Sequence, residues 1–308
     1  MVKFKQILII MVLAGALVLS GCSGSSDGDL DTTSPGAYFG GSEGADVSFE
    51  PFSIIEEGIY TIFDSEDFPI EVVLSNPGEH DLEVGDVRLE LLGPAEADFS
   101  CIPSWELSNS EAIEGISEFN PEGGEEIISF TPSDYALYTA DVVGYNDLTW
   151  HLNYEYDYET QLIVNDVCFK EDSADDRVCT VDEGKVYSVS GAPITVTSVS
   201  EDSGGRGIIL LKIDISNVNT RESTIVGEDF DDRFSQVAFE ISDPTEWECK
   251  SGGREGEARL VDGEASIVCR LVEPLEEDTL YEASVSMAFS YTYRDIIQES
   301  LRVKESAE

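Results

Sequence analysis

The stretch "HLNYEYDY" (His151–Tyr158) decides the fold, because "SMAFSYTY" (Ser286–Tyr293) repeats its pattern near the other end of the chain. In each, bulky residues recur at every second position, with shorter or charged residues between them. Period two belongs to a β-strand, whose successive side chains point to opposite faces. The stripe Tyr154, Tyr156, Tyr158 and its counterpart Phe289, Tyr291, Tyr293 should each line one face of a strand. Packing is the expected role of that face, with a sugar-binding aromatic surface as the rival. Similar short runs lie outward: "IEVVLSN" (Ile70–Asn76), "VRLEL" (Val87–Leu91) and "ITVTSV" (Ile194–Val199), separated by Gly, Pro, Asn and Asp. This spacing predicts antiparallel strands in a sandwich, and no amphipathic helix of convincing length appears.

The aromatic runs belong to a longer internal repeat. "EVVLSN", ending at Asn76, matches "IDISN", ending at Asn217. "VRLELLGPAEADFSC", ending at Cys101, matches "VAFEISDPTEWEC", ending at Cys249, and "GGEEIISF" (Gly123–Phe130) matches "DGEASIVC" (Asp262–Cys269). Four matches in one order indicate duplication. The expected fold is therefore all-β, with two tandem immunoglobulin-like antiparallel β-sandwiches over residues 36–167 and 178–308.

Cysteines sharpen this expectation. Cys249 and Cys269 fall on two predicted strands of the second copy, and Cys168 and Cys179 flank a polar junction hairpin, 168–179, so each pair is expected to be bonded. A bond closing a loop of this length is worth about 3 kcal/mol in the chain-entropy account. Cys101 takes the place of Cys249 in the first copy, but Phe130 stands where its partner would be. Cys101 is thus expected to be a free, buried thiol, an intermolecular bond or another pairing being the alternatives.

The start of the chain speaks of export. Lys3 and Lys5 precede thirteen uncharged residues, Ile7 to Leu19. That is too short to cross a bilayer, which takes about 20 residues, and it has the form of a secretory leader, 1–21. "LSGC" (Leu19–Cys22) resembles a lipobox, so Cys22 is the expected lipidation site, against a plain signal or uncleaved anchor with an incidental cysteine. The Ser-, Gly- and Asp-rich stretch 22–35 is a flexible tether. These features put the body at the cell membrane, lipid-anchored, on the extracytoplasmic face.

The formal net charge is −47, from 64 acidic and 17 basic residues, yet 41% of the chain is hydrophobic, too much for disorder. Between Gln6 and Phe169 the only basic residue is Arg88. Such charge repels itself in dilute buffer, and at about 1 M salt the screening length falls to roughly 3 Å. Acid spread along the whole chain favours adaptation to salt over a local patch for a cationic partner, and it argues against a nucleic-acid partner, which needs a basic stripe.

Chemistry is sparse. His80 lies in a turn, "NPGEHDL", and His151 in the aromatic run; no nucleophile motif accompanies either, so the chain is expected not to be an enzyme. No cofactor is expected. Among the acidic loops "DSEDF" (Asp64), "EDSADD" (Glu171) and "EDFDD" (Glu228), the last, with Asp229, Asp231 and Asp232, is the weak Ca²⁺ candidate, though none has the EF-hand order.

Taken with the acidity and the repeat, the segments "LSGC", "YFGGSEGADVSFEPF" (Tyr38–Phe52), "VVLSNPG" (Val72–Gly78) and "YEYDYETQLIVNDVCF" (Tyr154–Phe169) resemble acidic surface lipoproteins of halophilic, small-genome archaea. The resemblance runs over nearly the whole chain and implies export, a lipid anchor and β-sandwich modules, with no catalytic residues. Two functions fit: a surface binding or structural module whose partner is an envelope protein or glycan, or an accessory solute-binding or enzymatic subunit of an envelope complex.

Overall fold

The aromatic runs form strands far longer than the usual 5–6 residues. One spans Tyr145–Lys170, 26 residues, and the other Leu280–Lys304, 25 residues. They lie antiparallel along nearly their whole length, from Tyr145 opposite Lys304 to Lys170 opposite Leu280, with a bulge between Val164 and Val167. Strand alternation puts Trp150, Leu152, Tyr154, Tyr156, Tyr158, Leu162 and Val164 on a buried face. The opposite face carries cross-strand ion pairs, Arg302 with Asp147 (2.6 Å) and Arg294 with Glu155. The computed structural model describes residues 38–175, 177–181, 184–218, 223–225 and 235–306. The expected leader 1–21, Cys22, the tether 22–35 and the Ca²⁺ candidates Asp229, Asp231 and Asp232 lie outside the described residues.

The described chain is all-β, its sheets packed in sandwich-like layers about one continuous core. Four matches seen in sequence recur as two equivalent sets of strand pairings. In the first half Glu71–Ser75 pairs with Glu125–Ser129, placing Val72 opposite Ile128. In the second half Ile208–Asn217 pairs with Glu264–Leu271, placing the corresponding Ile213 opposite Ile267. Val87–Leu91 meets the first long strand with Leu91 opposite Leu152. Gln236–Ile241 meets the second with Ile241 opposite Met287, the same positions of the repeat. Register is set by which face must be buried, since a slip of one residue would turn every side chain to the other face. Equal patterns therefore gave equal registers.

The two long strands are themselves equivalent, and their pairing is self-consistent. Tyr158 faces Tyr291 and Tyr156 faces Tyr293, so exchanging the halves returns the same ladder. At its centre Asp157 lies opposite Thr292, whose hydroxyl donates to the Asp157 carboxylate at 2.6 Å. An approximate twofold axis passes there. Both halves contribute to one ten-stranded sheet, and the end of the second long strand pairs in parallel with Ile59–Phe63 of the first half, Leu301 opposite Tyr60.

Disulfides join Cys168 to Cys179 and Cys249 to Cys269, and the latter pair lies directly across two neighbouring strands. The junction is further held by a buried ion pair, Lys185 with Glu201, whose carboxylate also accepts the Cys168 N–H at 3.1 Å. Lys185 Nζ donates to the Asp166 carbonyl at 2.8 Å. Cys101 is a free thiol, but it is exposed, not buried. Its backbone has φ of +67°, which turns the side chain away from the core after the short strand Phe99–Ser100. Beside it in the chain, Phe99 and Trp105 pack on Trp150 at 4.9 and 5.9 Å between centroids.

Candidate functional site

The buried stripe is hydrogen-bonded as well as packed. Tyr158 donates its hydroxyl to Asn76 Oδ1 at 3.1 Å, and Tyr293 donates to Asn217 Oδ1 at 2.7 Å. These are the closing residues of matched repeats, so each half carries the same tyrosine–asparagine clasp. Asn76 is fully buried and its amide donates to the carbonyls of His80 (2.6 Å) and Ile113 (3.2 Å). Gly78 is required beside this clasp, because a Cβ there would come within 2.0 Å of the Tyr158 hydroxyl. Tyr291 shares a hydrogen bond with Thr160 at 2.9 Å, and Tyr154 donates to Asp295 at 3.1 Å.

Tyr156 differs from these four. It is 2% exposed, and its hydroxyl has no hydrogen-bond partner among the described residues. The hydroxyl lies against Gly44, where an added Cβ would sit 2.7 Å from it and 2.9 Å from the Pro193 ring. Gly44 and Tyr156 line a cleft of about 230 Å³ between the two halves of the repeat. Its other described walls include Tyr154 and Tyr293, Pro77 and Pro193, Val218, and the side chains of Glu43, Asp46 and Asp295. The 39–44 segment is positioned by Glu79, whose carboxylate accepts the N–H groups of Phe39 (2.9 Å), Gly40 (2.8 Å) and Gly191 (2.6 Å).

Among the described residues, the charged groups lining the cleft are acidic. Packing around Asp46 raises its carboxyl above the usual value; the Val47 N–H opposes this, while the charges of Glu43 and Asp295 add to it. Burial, reinforced by the neighbouring tyrosines, pushes the Tyr156 phenol well above its ordinary value, so it stays neutral at any physiological pH. Such a hydroxyl donates or accepts a hydrogen bond and does not serve as a base. No group of three His, Cys, Asp or Glu side chains among the described residues is arranged to hold a metal ion.

Neither histidine lines this cleft. His80 packs its ring edge-on against Tyr158 at 5.1 Å, and its backbone N–H donates to the Tyr158 hydroxyl at 3.2 Å. His151 lies on the long strand opposite Gln298. In the two acidic loops within the described residues, carboxylates have local partners. Glu66 accepts the Phe63 N–H, Asp64 accepts the Ser306 N–H, Asp172 accepts the Ala174 N–H, and Asp175 pairs with Arg177. Sequence reading found the stripe but not the cleft. Glu43, Gly44 and Asp46 lie a hundred residues from Tyr156, and nothing in their local pattern announces that they meet it.

No protein-family model matches the chain, and no curated protein is similar to it. Two solved structures share distant likeness. One is the envelope protein VP37 of White Spot Syndrome Virus, 12% identical with a TM-score of 0.19, covering 45% of this chain and 98% of that one. The other is the secreted serine protease VesC of Vibrio cholerae, 9% identical with a TM-score of 0.20, covering 80% of this chain and 50% of that one. At these scores the likeness assigns neither a fold family nor a function.

Proposed function

We propose that the chain is a non-catalytic binding or structural module of the cell surface. In this reading the leader 1–21 directs export, a lipid on Cys22 holds the protein on the extracytoplasmic face of the membrane, and the tether 22–35 spaces the body from it. The acidic surface is an adaptation to high salt, the halves are immunoglobulin-like sandwiches, and the partner is an envelope protein or glycan, as the resemblance to acidic archaeal surface lipoproteins implies. The observation that carries the binding role is the cleft. Its described lining offers carboxylates and a neutral tyrosine hydroxyl but no histidine, whereas nucleophilic catalysis needs a nucleophile activated by an adjacent base or a lowered pKa.

Two experiments test it. Cell fractionation should find the protein in membranes with a lipid mass on an N-terminal Cys22, and Cys22→Ser should leave it soluble or uncleaved; a mature, membrane-bound variant would refute the anchor. Labelled lipoprotein in nanodiscs, in molar KCl, should bind intact cells of its source. Loss after protease treatment identifies a protein partner, and loss after periodate a glycan. No binding to untreated cells would refute the surface-module reading.

A further inference from the structure

We propose that the body, which its tether alone would leave spaced from the membrane, also touches the lipid surface directly, through an apolar lip formed by Tyr38, Phe39, Ile116 and Phe119. This rests on the lipid-anchor reading above and adds a second, non-covalent contact to it.

The lip stands where the chain enters the body. Tyr38, Phe39, Ile116 and Phe119 line one open cleft of about 470 Å³. Phe119 is 97% exposed and Phe39 62% exposed. Apolar side chains scattered singly over a surface are ordinary. Here two phenylalanine rings share one cleft, and the segments that carry them are fixed. The Ile116 N–H donates to the Gly78 carbonyl at 2.7 Å. Ser117 and Asn120 close a turn with Phe119 at its tip, the Ser117 N–H donating to the Asn120 carbonyl at 2.9 Å. On the other side the Phe39 N–H donates to the Glu79 carboxylate at 2.9 Å. Rings held out in water by a fixed backbone gain from burial against an apolar partner.

Position, composition and charge select lipid as that partner. Tyr38 is the first described residue, sixteen residues beyond Cys22, so the tether joins the body at the lip. A Ser- and Gly-rich linker of that length has a root-mean-square span of roughly 20–24 Å. The lip lies at the level of Tyr158, since a Cβ on Gly78 would meet the Tyr158 hydroxyl. Val143, 87% exposed, precedes the other end of the same long strand, which begins at Tyr145. Thirteen residues of strand separate Tyr145 from Tyr158, roughly 40 Å. A bilayer holding the Cys22 lipid is therefore within the tether's ordinary reach of the lip and not of Val143. Residues 22–37 contain one large apolar side chain, Leu30, too little to bury two phenylalanine rings. Phenylalanine seats about 5–10 Å into the headgroup–acyl boundary, and tyrosine belongs at headgroup level. Glu118 beside the ring is repelled by anionic headgroups in dilute buffer. At about 1 M salt the screening length is roughly 3 Å, and the apolar attraction prevails.

The test is fluorescence quenching of the full mature lipoprotein in vesicles of equal parts phosphatidylcholine and phosphatidylglycerol, in molar KCl, with bromine on the acyl chains. Once the signal of the native tryptophans is subtracted, the indole of Phe119→Trp should be quenched by the bromines and that of Val143→Trp should not. Both sites are exposed, so the fold tolerates either change. Adding Phe39→Ser to Phe119→Trp should weaken the contact about tenfold, the expected effect of removing one phenylalanine from an apolar seat. Vesicles of phosphatidylcholine alone should quench equally. An unquenched Phe119→Trp indole, quenching of Val143→Trp instead, or quenching that requires anionic lipid would overturn the proposal. So would an indole unquenched in vesicles and shielded only when the lipoprotein binds intact cells, which would give the lip to a protein or glycan partner. The N-terminal mass of the same sample keeps the two readings apart. Lipid on Cys22 without quenching refutes the lip alone. Quenching without lipid on Cys22 upholds the lip and refutes the anchor.

Discussion

The two halves of the repeat share a register and differ in how they close. Val72 faces Ile128 in one and Ile213 faces Ile267 in the other; Tyr158 clasps Asn76 and Tyr293 clasps Asn217. Yet the second half ties Cys249 to Cys269 across neighbouring strands, whereas in the first the counterpart of Cys249 is an exposed free thiol, Cys101. There the first half packs rings: Trp150, fully buried, meets Phe52, Phe68, Phe99 and Trp105 within 4.9–6.3 Å. The second half packs Ile209, Leu211, Ile213, Ile215 and Ile267, with Trp247 edge-on to Phe169 at 6.1 Å. The comparison teaches that strand pairing and the clasp are the common frame, while the means of cross-linking the layers is interchangeable. The half without the covalent bond has the larger aromatic cluster, around Trp150.

The clasp is the place to break this symmetry most severely. Asn76→Ala removes one acceptor and two donated hydrogen bonds from a fully buried site. It should cost about 3–4 kcal/mol, at about 1 kcal/mol per bond plus the groups left unpaired, read as a drop in the denaturation midpoint. Next comes the disulfide. Replacing Cys249 and Cys269 together by Ser should cost about 3 kcal/mol, while Cys101→Ser should move stability by less than about 0.5 kcal/mol, as exposed substitutions do. An equal loss from both would mean that the halves close in the same way after all.

A milder pair sharpens the comparison. Tyr158→Phe and Tyr293→Phe should each cost about 1–2 kcal/mol. Equal losses would support equivalent clasps, and a large imbalance would show that one half relies on its clasp more than the other.

The smallest effect tests the cleft. Asp46 has a folded-state pKa raised above its unfolded value, so the stability linked to it is present below the unfolded value and lost as pH rises through the folded one. Asp46→Asn should therefore lift the melting temperature slightly at neutral pH and leave it unchanged once the medium is acid enough to protonate the wild-type carboxyl. A variant less stable than wild type at neutral pH would show that the Asp46 charge supports the fold.

Much of the frame was legible. The period-two alternation, the order of the four matches and the two disulfide pairs all follow from local pattern, because strand faces and repeat positions are properties of neighbouring residues. Cys101 escaped in part. Its place in the repeat announced a missing partner, but only the left-handed backbone at that residue sends the thiol to the surface. The tyrosine stripe was read as packing. All six side chains are buried, and period alone does not reveal that the Tyr156 hydroxyl, unlike those of the other four tyrosines, has no hydrogen-bond partner among the described residues.

The sequence by itself determined that this chain is all-β, duplicated and strongly acidic, since alternation, repetition and charge are carried by residues close together in the chain. Only the tertiary structure decided that the two long strands run together over their full length, exchange partners about Asp157 and Thr292, and bring Gly44, Asp46 and Asp295 around Tyr156. Those meetings depend on register between segments more than a hundred residues apart, which is set by burying all the faces at once and is written in no single stretch.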